Sequence, residues 1–181
     1  MRRPTTTVVW AATQPAAPRP EDPMTRLAPM SDASFADYRQ RAIVDYADDN
    51  VRAGRWPAAD ALRRSEANFD ELLPQGLATA DHFLYDIFAD GSTTPVGIIW
   101  LAAVTRDGLR GGYIYDVEIA PAWRRKGHAG RAFALIEDEA RARGLRSIGL
   151  HVFGHNPGAQ ALYAKLGYAV TGVNMIRHLG A

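Results

Sequence analysis

Cysteine is absent from this chain of 181 residues. The sequence therefore contains no disulfide, no thiolate metal site and no cysteine nucleophile. It also lacks a Gly-x-Ser-x-Gly elbow, the turn that exposes a nucleophilic serine in many hydrolases. Enzymes that work through a covalent intermediate on cysteine, or on such a serine, are excluded.

The chain also lacks a strong charge of either sign, since 21 Lys and Arg residues face 20 Asp and Glu residues. A net charge of +1 gives no global reason to expect nucleic acid or an anionic membrane as partner. No apolar run approaches the length of a membrane span. Arg2 and Arg3 precede an apolar stretch that is too short and interrupted for a signal peptide. We therefore expect a cytoplasmic protein.

Composition divides the chain into a tail and one domain. Residues 1–24 are rich in Pro, Thr and Ala and poor in large apolar side chains, so we expect a disordered tail there. Residues 25–181 contain the regular patterns and suit one globular domain with a full core.

The domain begins with a short edge strand at 25–30, followed by two helices. Ser31 is a candidate N-cap, and apolar side chains recur at helical spacing to about residue 52. A second helix ends at Pro74. Three strands joined by tight turns follow between residues 83 and 119, which predicts an antiparallel meander.

The stretch Tyr113–Gly130 predicts a strand, a turn at Pro121, a basic glycine-containing loop and a helix. The first N–H groups of such a helix have no intrahelical partner, and the helix dipole adds partial positive charge. With two glycines and three preceding cations, this turn is a candidate phosphate site. A solvated basic turn before an ordinary helix is the alternative.

A strand at 147–153 after that helix predicts a parallel strand pair. A short helix begins near Asn156 and ends at Gly167, and we expect a last strand pair at about 168–179. His151 and His155 have ligand-like spacing but no third partner in the sequence, so we expect no metal.

Two of these segments resemble motifs of the GCN5-related N-acetyltransferase superfamily. The sequence Arg124-Arg125-Lys126-Gly127-His128-Ala129 is similar to its Gln/Arg-x-x-Gly-x-Gly/Ala signature. The second segment is similar to its other acyl-CoA motif, and reads Asn156-x-x-Ala159-x-x-Leu162-Tyr163-x-Lys165-x-Gly167-Tyr168. The tail is not a family feature, and Ala129 stands where glycine is more common.

The resemblance covers about residues 25–181 and implies a mixed α/β fold. The expected architecture is a mostly antiparallel sheet of six to seven strands flanked by about four helices. The implied activity is direct transfer of an acetyl group from acetyl-CoA to a primary amine, without a metal. A homodimer is expected only by analogy.

By the same resemblance, main-chain groups hold the coenzyme. The amides of residues 126–131 would bind the pyrophosphate, and the backbone of Val117 and Ile119 would pair with the pantetheine and the acetyl carbonyl. Asn156 would bind the coenzyme further along. The full set implied for the coenzyme is Val117, Ile119, Arg124, Arg125, Lys126, Gly127, His128, Ala129, Gly130, Arg131, Asn156, Ala159 and Tyr163.

The chemistry requires a base for the amine and an acid for the departing thiolate. Tyr163 is the candidate acid, because the family has a tyrosine at this motif position. Glu118 is the candidate base and Asp116 the alternate, since desolvation raises a carboxylate pKa toward neutrality. Strand alternation puts Tyr113 and Tyr115 on the other face, as candidate acceptor contacts. Core packing is the alternative for these tyrosines, and contact with the Arg cluster for the carboxylates.

Three functions remain open from the sequence. The preferred one is acetylation of a small-molecule amine, such as a polyamine, an amino sugar or an amino-acid-like amine. The second is acetylation of protein lysine or N-terminal amines, and the third is a non-catalytic acyl-CoA-binding module. Acids on the first two helices could attract a cationic amine or simply be solvated. They are Asp45, Asp48, Asp49, Glu66, Asp70 and Glu71.

Overall fold

The computed structural model describes residues 24–106 and 108–177. Four α-helices are present in this part of the chain: α1 (Asp32–Arg52), α2 (Ala61–Leu72), α3 (His128–Ala142) and α4 (Pro157–Lys165). Five strands accompany them: β1 (Thr25–Pro29), β2 (His82–Ala89), β3 (Gly97–Arg106), β4 (Leu109–Ile119) and β5 (Ile148–Leu150). The tail expected at 1–24 lies outside the described residues except for Met24.

The strands form one sheet in the order β1-β2-β3-β4-β5. The first three pairs are antiparallel, and β4 and β5 are parallel. The mixed, mostly antiparallel sheet and the parallel strand-helix-strand unit predicted from the sequence are therefore confirmed. Residues 24–106 and 108–177 contain five strands, so the expected six to seven was wrong.

Helices cover both faces of the sheet. On one face, α3 contributes Phe133 and Ile136 to a core with Ile99 and Leu101 of β3, and all four side chains are fully buried. On the other face, α1 and α2 pack Tyr38 and Phe69 against Trp100 and its neighbours. The central strand β3 is therefore apolar on both faces, which explains its uninterrupted hydrophobic run.

Side-chain hydrogen bonds fix the start of α1 and join it to α2. Ser31 caps α1 by accepting a hydrogen bond from the backbone N–H of Ser34 at 3.1 Å. Ser65 of α2 donates its hydroxyl to the carbonyl of Ile43 at 2.7 Å, which ties the two helices together. The helix bounds predicted from the N-cap and the apolar spacing are confirmed.

A β-bulge interrupts the pairing of β3 and β4. Leu101 pairs with Ile114, whereas its neighbour Trp100 pairs with Asp116, so Tyr115 is the extra residue. An extra residue reverses the side-chain alternation along the rest of the strand. Side chains after residue 115 therefore point to the faces opposite to those that simple alternation predicts.

The last strand pair expected at 168–179 does not form in the described residues. Residues 168–177 are not in a strand, and Val170 and Met175 are 82% and 92% exposed. Because β5 has only three residues, it offers few edge groups for a further partner. The segment and β5 both line a cleft of about 870 Å³, and no backbone hydrogen bond joins them within the described chain. Residues 178 and 179 lie outside the described residues.

None of the helices within residues 24–106 and 108–177 is long and apolar enough to cross a membrane.

Gly97 determines how closely β3 approaches β4. A Cβ at this position would lie 2.1 Å from the carbonyl oxygen of Glu118. We expect Gly97→Ala to lower the free energy of unfolding by about 2 kcal/mol, because the strands must separate to admit the methyl group. Chemical denaturation measures this change.

Gly158→Ala is the control, since a Cβ there has no neighbour closer than 3.9 Å and alanine favours the helix. Equal midpoints for Gly97→Ala and the wild type would contradict the steric argument.

Candidate active site

A gap opens between the two parallel strands. β4 and β5 pair only from Gly112 to Ile114, and β4 then continues to Ile119 with no partner strand on that edge in the described chain. Parallel strands that separate in this way leave backbone groups available to an extended ligand. The fold therefore contains a splayed gap between β4 and β5, beside the Val117 and Ile119 backbone to which the resemblance assigns the pantetheine.

The loop after β4 ends at an uncapped helix start. Gly127 is the N-cap of α3, adopts a left-handed φ of 85° and offers no side chain to cap the helix. Its carbonyl accepts the N–H of Arg131 at 3.2 Å. The N–H groups of the three residues between them have no acceptor in the helix, because an α-helix leaves its first turn unpaired. The structure thus retains the free donors that an anion requires.

The basic side chains around this loop have different environments. Arg124 donates its Nε to the carbonyl of Ile119 at 2.8 Å, which anchors the loop to the end of β4. Lys126 places its Nζ 5.0 Å from the ring centre of Trp123. Arg125 has a left-handed φ of 63°, an uncommon conformation for a non-glycine residue.

His128 cannot contribute its side chain to a ligand at the surface. The imidazole is 1% exposed, and its Nδ1 lies 3.0 Å from the hydroxyl of Thr25. Burial, and then Arg131 and Lys126, lower its pKa, so the ring is neutral near pH 7. Only the amide of His128 is available for the role that the resemblance implies.

The second motif forms the start of α4. Asn156 is the N-cap, and its side-chain oxygen accepts the N–H of Ala159 at 3.1 Å. That bond occupies the amide of Ala159 and leaves the NH₂ group of Asn156 as the donor for a ligand. Coenzyme contacts by Asn156 and Ala159 remain predictions. For Asn156, the group available to the coenzyme is its side-chain NH₂.

The bulge in β4 brings four candidate side chains to one face. The carboxylates of Asp116 and Glu118 lie on the α1 side, where Tyr115 also packs. Tyr113 contacts the ring of Tyr115, with 4.9 Å between ring centres. The expectation that the tyrosines occupy the other face was wrong, because the extra residue at 115 reverses the alternation.

The two carboxylates differ in their partners. Asp116 accepts the hydroxyl of Tyr38 at 3.0 Å, and Glu118 accepts a guanidinium N–H of Arg41 at 3.4 Å. Burial raises the pKa of Asp116 to about 6, partly offset by the Tyr38 hydrogen bond. Asp116 therefore titrates close to neutral pH, as a general base should.

Tyr163 projects from α4 toward the α3 core. Its ring packs edge-on against Phe133, with 5.5 Å between centres. Burial, and then the charge of Asp116, raise its pKa to about 12. The phenol is therefore protonated throughout the neutral range.

A bridge joins α1 to the loop after β5. His155 places its Nε2 2.8 Å from a carboxylate oxygen of Asp49, and Phe153 lies against Tyr46 with 6.5 Å between ring centres. Asp45 lies nearby on α1; burial, and then Glu118, raise its pKa. We call Asp49–His155 and Tyr46–Phe153 the α1 bridge.

Sequence reasoning named Asp45 of α1 as a candidate acid but missed Tyr38 and Arg41 on the same helix. Tyr38, Arg41 and Asp45 follow one another at spacings of three and four, which places them on one helical face. That spacing was a usable signal. It did not show which strand the face would meet.

No metal site is evident in the part of the chain that the structure describes. No group of three His, Asp or Glu residues there could hold an ion. His155 is engaged by Asp49, and the ring of His151 packs on Phe153 at 5.1 Å between centres.

Comparison with known proteins gives a consistent result. The model of the acetyltransferase (GNAT) family matches residues 43–168. The uncharacterized N-acetyltransferase YycN of Bacillus subtilis is 35% identical over 153 residues, which are 84% of this chain and 97% of that protein.

Solved structures show the same fold. The crystal structure of YycN has a TM-score of 0.82 at 34% identity, and the match covers 87% of this chain and all of that one. The aminoglycoside N-acetyltransferase AAC(6')-Iy, solved in complex with CoA, has a TM-score of 0.58 at 15% identity, with 90% and 99% of the chains covered. The latter likeness concerns the fold alone.

The geometry of the basic loop generates a binding prediction. In Gly127→Asp, a Cβ would lie 3.0 Å from the guanidinium of Arg131, and a negative charge would face the phosphates. We expect coenzyme A to bind at least about tenfold more weakly, as measured by calorimetry, because like charge and crowding both oppose the ligand.

Gly91→Asp is the matched control for this variant. Gly91 also has a left-handed φ, of 68°, and a Cβ there has no neighbour within 4 Å. Both variants carry the same backbone strain and charge, so equal affinities would show that the loop does not bind the coenzyme.

Proposed function

The chain belongs to the acetyltransferase (GNAT) family and is an acetyl-CoA-dependent N-acetyltransferase, and we propose that its acceptor is a primary amine of a small cationic molecule. The site's acids and its partly closed gap support this choice of acceptor. Polyamines, amino sugars and amino-acid-like amines are the classes that fit.

The coenzyme would be held mainly by main-chain groups. The free amides at the start of α3 suit its diphosphate, and Arg124, Arg125, Lys126 and Arg131 would add charge around it. The unpaired edge of β4 at Val117 suits the amide groups of the pantetheine arm. Bound there, acetyl-CoA supplies an activated thioester carbonyl at the gap.

The acceptor would enter from the α1 side of the gap. Asp45, Asp116 and Glu118 lie together there, and Arg41 is the cation that pairs with one of them. Such a cluster attracts an ammonium group and disfavours anions. Tyr113 and Tyr115 would contact the body of the acceptor through their rings.

The α1 bridge is the reason for preferring a small acceptor. Its Asp49–His155 hydrogen bond and its aromatic contact join α1 to the loop after β5, and they would narrow the approach to the carboxylates from that side. A slender amine can pass such an opening, whereas a folded protein surface requires an open groove. Acetylation of a protein lysine or N-terminal amine is the second candidate, because a lysine side chain or a chain terminus can also be slender enough to pass such an opening.

The proposed chemistry assigns each proton to a residue. A carboxylate, Asp116 or Glu118, takes the proton that an ammonium group must lose before its nitrogen can attack. Tyr163 donates its phenolic hydrogen to the sulfur as the carbon–sulfur bond breaks. A free thiol has a pKa of about 8.5, so complete transfer from a phenol of pKa about 12 is unfavourable by itself. We expect donation to accompany bond cleavage, with the amine nitrogen then returning a proton to Tyr163.

The test of the acceptor class is thiol release from acetyl-CoA across matched panels. One panel holds small di- and polyamines, amino sugars and amino-acid amides, and the other holds lysine and N-terminal peptides. We expect kcat/KM to be at least about tenfold higher for the best small amine than for any peptide. The reverse order would favour the protein acetyltransferase, and no release with either panel would contradict the proposed function.

Tyr163→Phe tests the acid assignment. We expect kcat to fall about 100-fold or more with little change in coenzyme A affinity, because only the donor to the sulfur is lost. Stopped-flow thiol detection gives kcat, and calorimetry gives the affinity. Tyr168→Phe is the control, since that ring packs on Phe133 in the same cluster. Turnover unchanged in Tyr163→Phe would remove this residue from the acid role.

A further inference from the structure

Tyr38 is a core tyrosine whose hydroxyl has a single partner in the described structure. The side chain is 1% exposed and packs edge-on against Phe69, with 6.4 Å between ring centres. Its hydroxyl donates to Oδ2 of Asp116 at 3.0 Å. A buried tyrosine normally satisfies its hydroxyl, and this one does so on a carboxylate at the edge of the gap.

Asp116 is surrounded by groups from three elements. From α1 come Tyr38 and Asp45, and from β4 comes Glu118, which is bonded to Arg41. The charge of Asp116 also acts on Tyr163 of α4. The backbone N–H of Val117 also bonds to the carboxylate. Unlike the buried Asp86 of β2, Asp116 is partly exposed as a residue.

Glu118 is placed differently. Its side chain is 33% exposed, and one of its oxygens accepts a guanidinium N–H of Arg41. That oxygen is therefore already engaged by a cation. Asp116 has a neutral donor instead, which orients the group without supplying a competing charge.

We propose that Tyr38 is a positioning residue for the acetyl transfer: its hydroxyl holds Oδ2 of Asp116 and thereby makes Asp116, not Glu118, the carboxylate that deprotonates the acceptor. This inference rests on the proposed function. In the step, the N–H bond of the ammonium breaks and an O–H bond forms on Asp116. The neutral amine keeps its electron pair for attack, and Asp116 later releases the proton to water.

The hydrogen bond matters because burial alone would raise the pKa of Asp116 further. Burial raises the pKa of Asp116, and the Tyr38 bond lowers it again by favouring the charged carboxylate. A base works only when it is deprotonated, so kcat/KM rises with pH through the pKa of that base. Loss of the Tyr38 hydroxyl raises the pKa further and moves this acid limb to higher pH.

Tyr38→Phe is the test variant, since it retains the ring against Phe69 and removes only the oxygen. We expect the acid limb of kcat/KM to move up by about one pH unit, with the KM for acetyl-CoA unchanged. Tyr85→Phe is the matched control. The hydroxyl of Tyr85 also donates to a carboxylate, that of Glu139 at 2.9 Å, but its ring packs against the α3 core. Its acid limb should coincide with that of the wild type.

A measurement without turnover supports the assignment. The carboxyl carbon of Asp116, identified by its loss in Asp116→Asn, can be titrated by ¹³C NMR in the wild type and in Tyr38→Phe. We expect a higher midpoint in the variant, and an unmoved midpoint would overturn the inference whatever the activity.

The kinetic outcomes separate the two proposals. An acid limb that stays at the wild-type pH in Tyr38→Phe but disappears in Glu118→Gln would overturn the inference and leave the proposed function intact. Absence of turnover with every amine would overturn both.

Discussion

One extra residue in β4 decides which side chains meet at the gap. Without the bulge at Tyr115, alternation would place Asp116 and Glu118 on the same face as Ile114, against the apolar α3 core. A carboxylate buried there would have no partner and would be costly. The bulge turns both acids toward α1, where Tyr38 and Arg41 receive them. The chemistry of the site therefore depends on a local departure from regular sheet geometry.

The proposed coenzyme site depends on backbone groups more than on side chains. At the start of α3, glycine replaces the usual side-chain cap, so the first N–H groups remain free for a ligand. A side-chain cap would stabilise the helix and occupy those donors. Arg124, bonded to the end of β4, holds the loop next to the gap. The donors left unpaired at this helix terminus would be available to bind the diphosphate in the proposed site.

Burial would help the proposed base, Asp116, and the proposed acid, Tyr163, in different ways. It raises the pKa of both Asp116 and Tyr163. For the carboxylate this brings the pKa toward neutrality, which improves a base, whereas for the phenol it keeps the proton in place until the sulfur develops charge. Both proposed proton transfers would therefore benefit from the burial of the group that carries them.

The sequence by itself determined the parts that depend on neighbouring residues. The Ser31 cap, the antiparallel meander, the parallel strand unit and the glycine loop before α3 were all predictable, because caps, turns and amphipathic spacing act over a few positions. Sequence reasoning failed for the last strand pair, whose formation requires an edge that the three-residue β5 barely provides.

Only the tertiary structure decided which face the acids occupy and what meets them there. Tyr38 and Asp116 are 78 residues apart, and Asp49 and His155 are 106 apart, so no local pattern links either pair. The bulge arises from how β3 and β4 pair, and the neighbours of α1 arise from how it packs on the sheet. The identity of the candidate residues was thus readable along the chain, but their partners and protonation depend on contacts that exist only once it is folded.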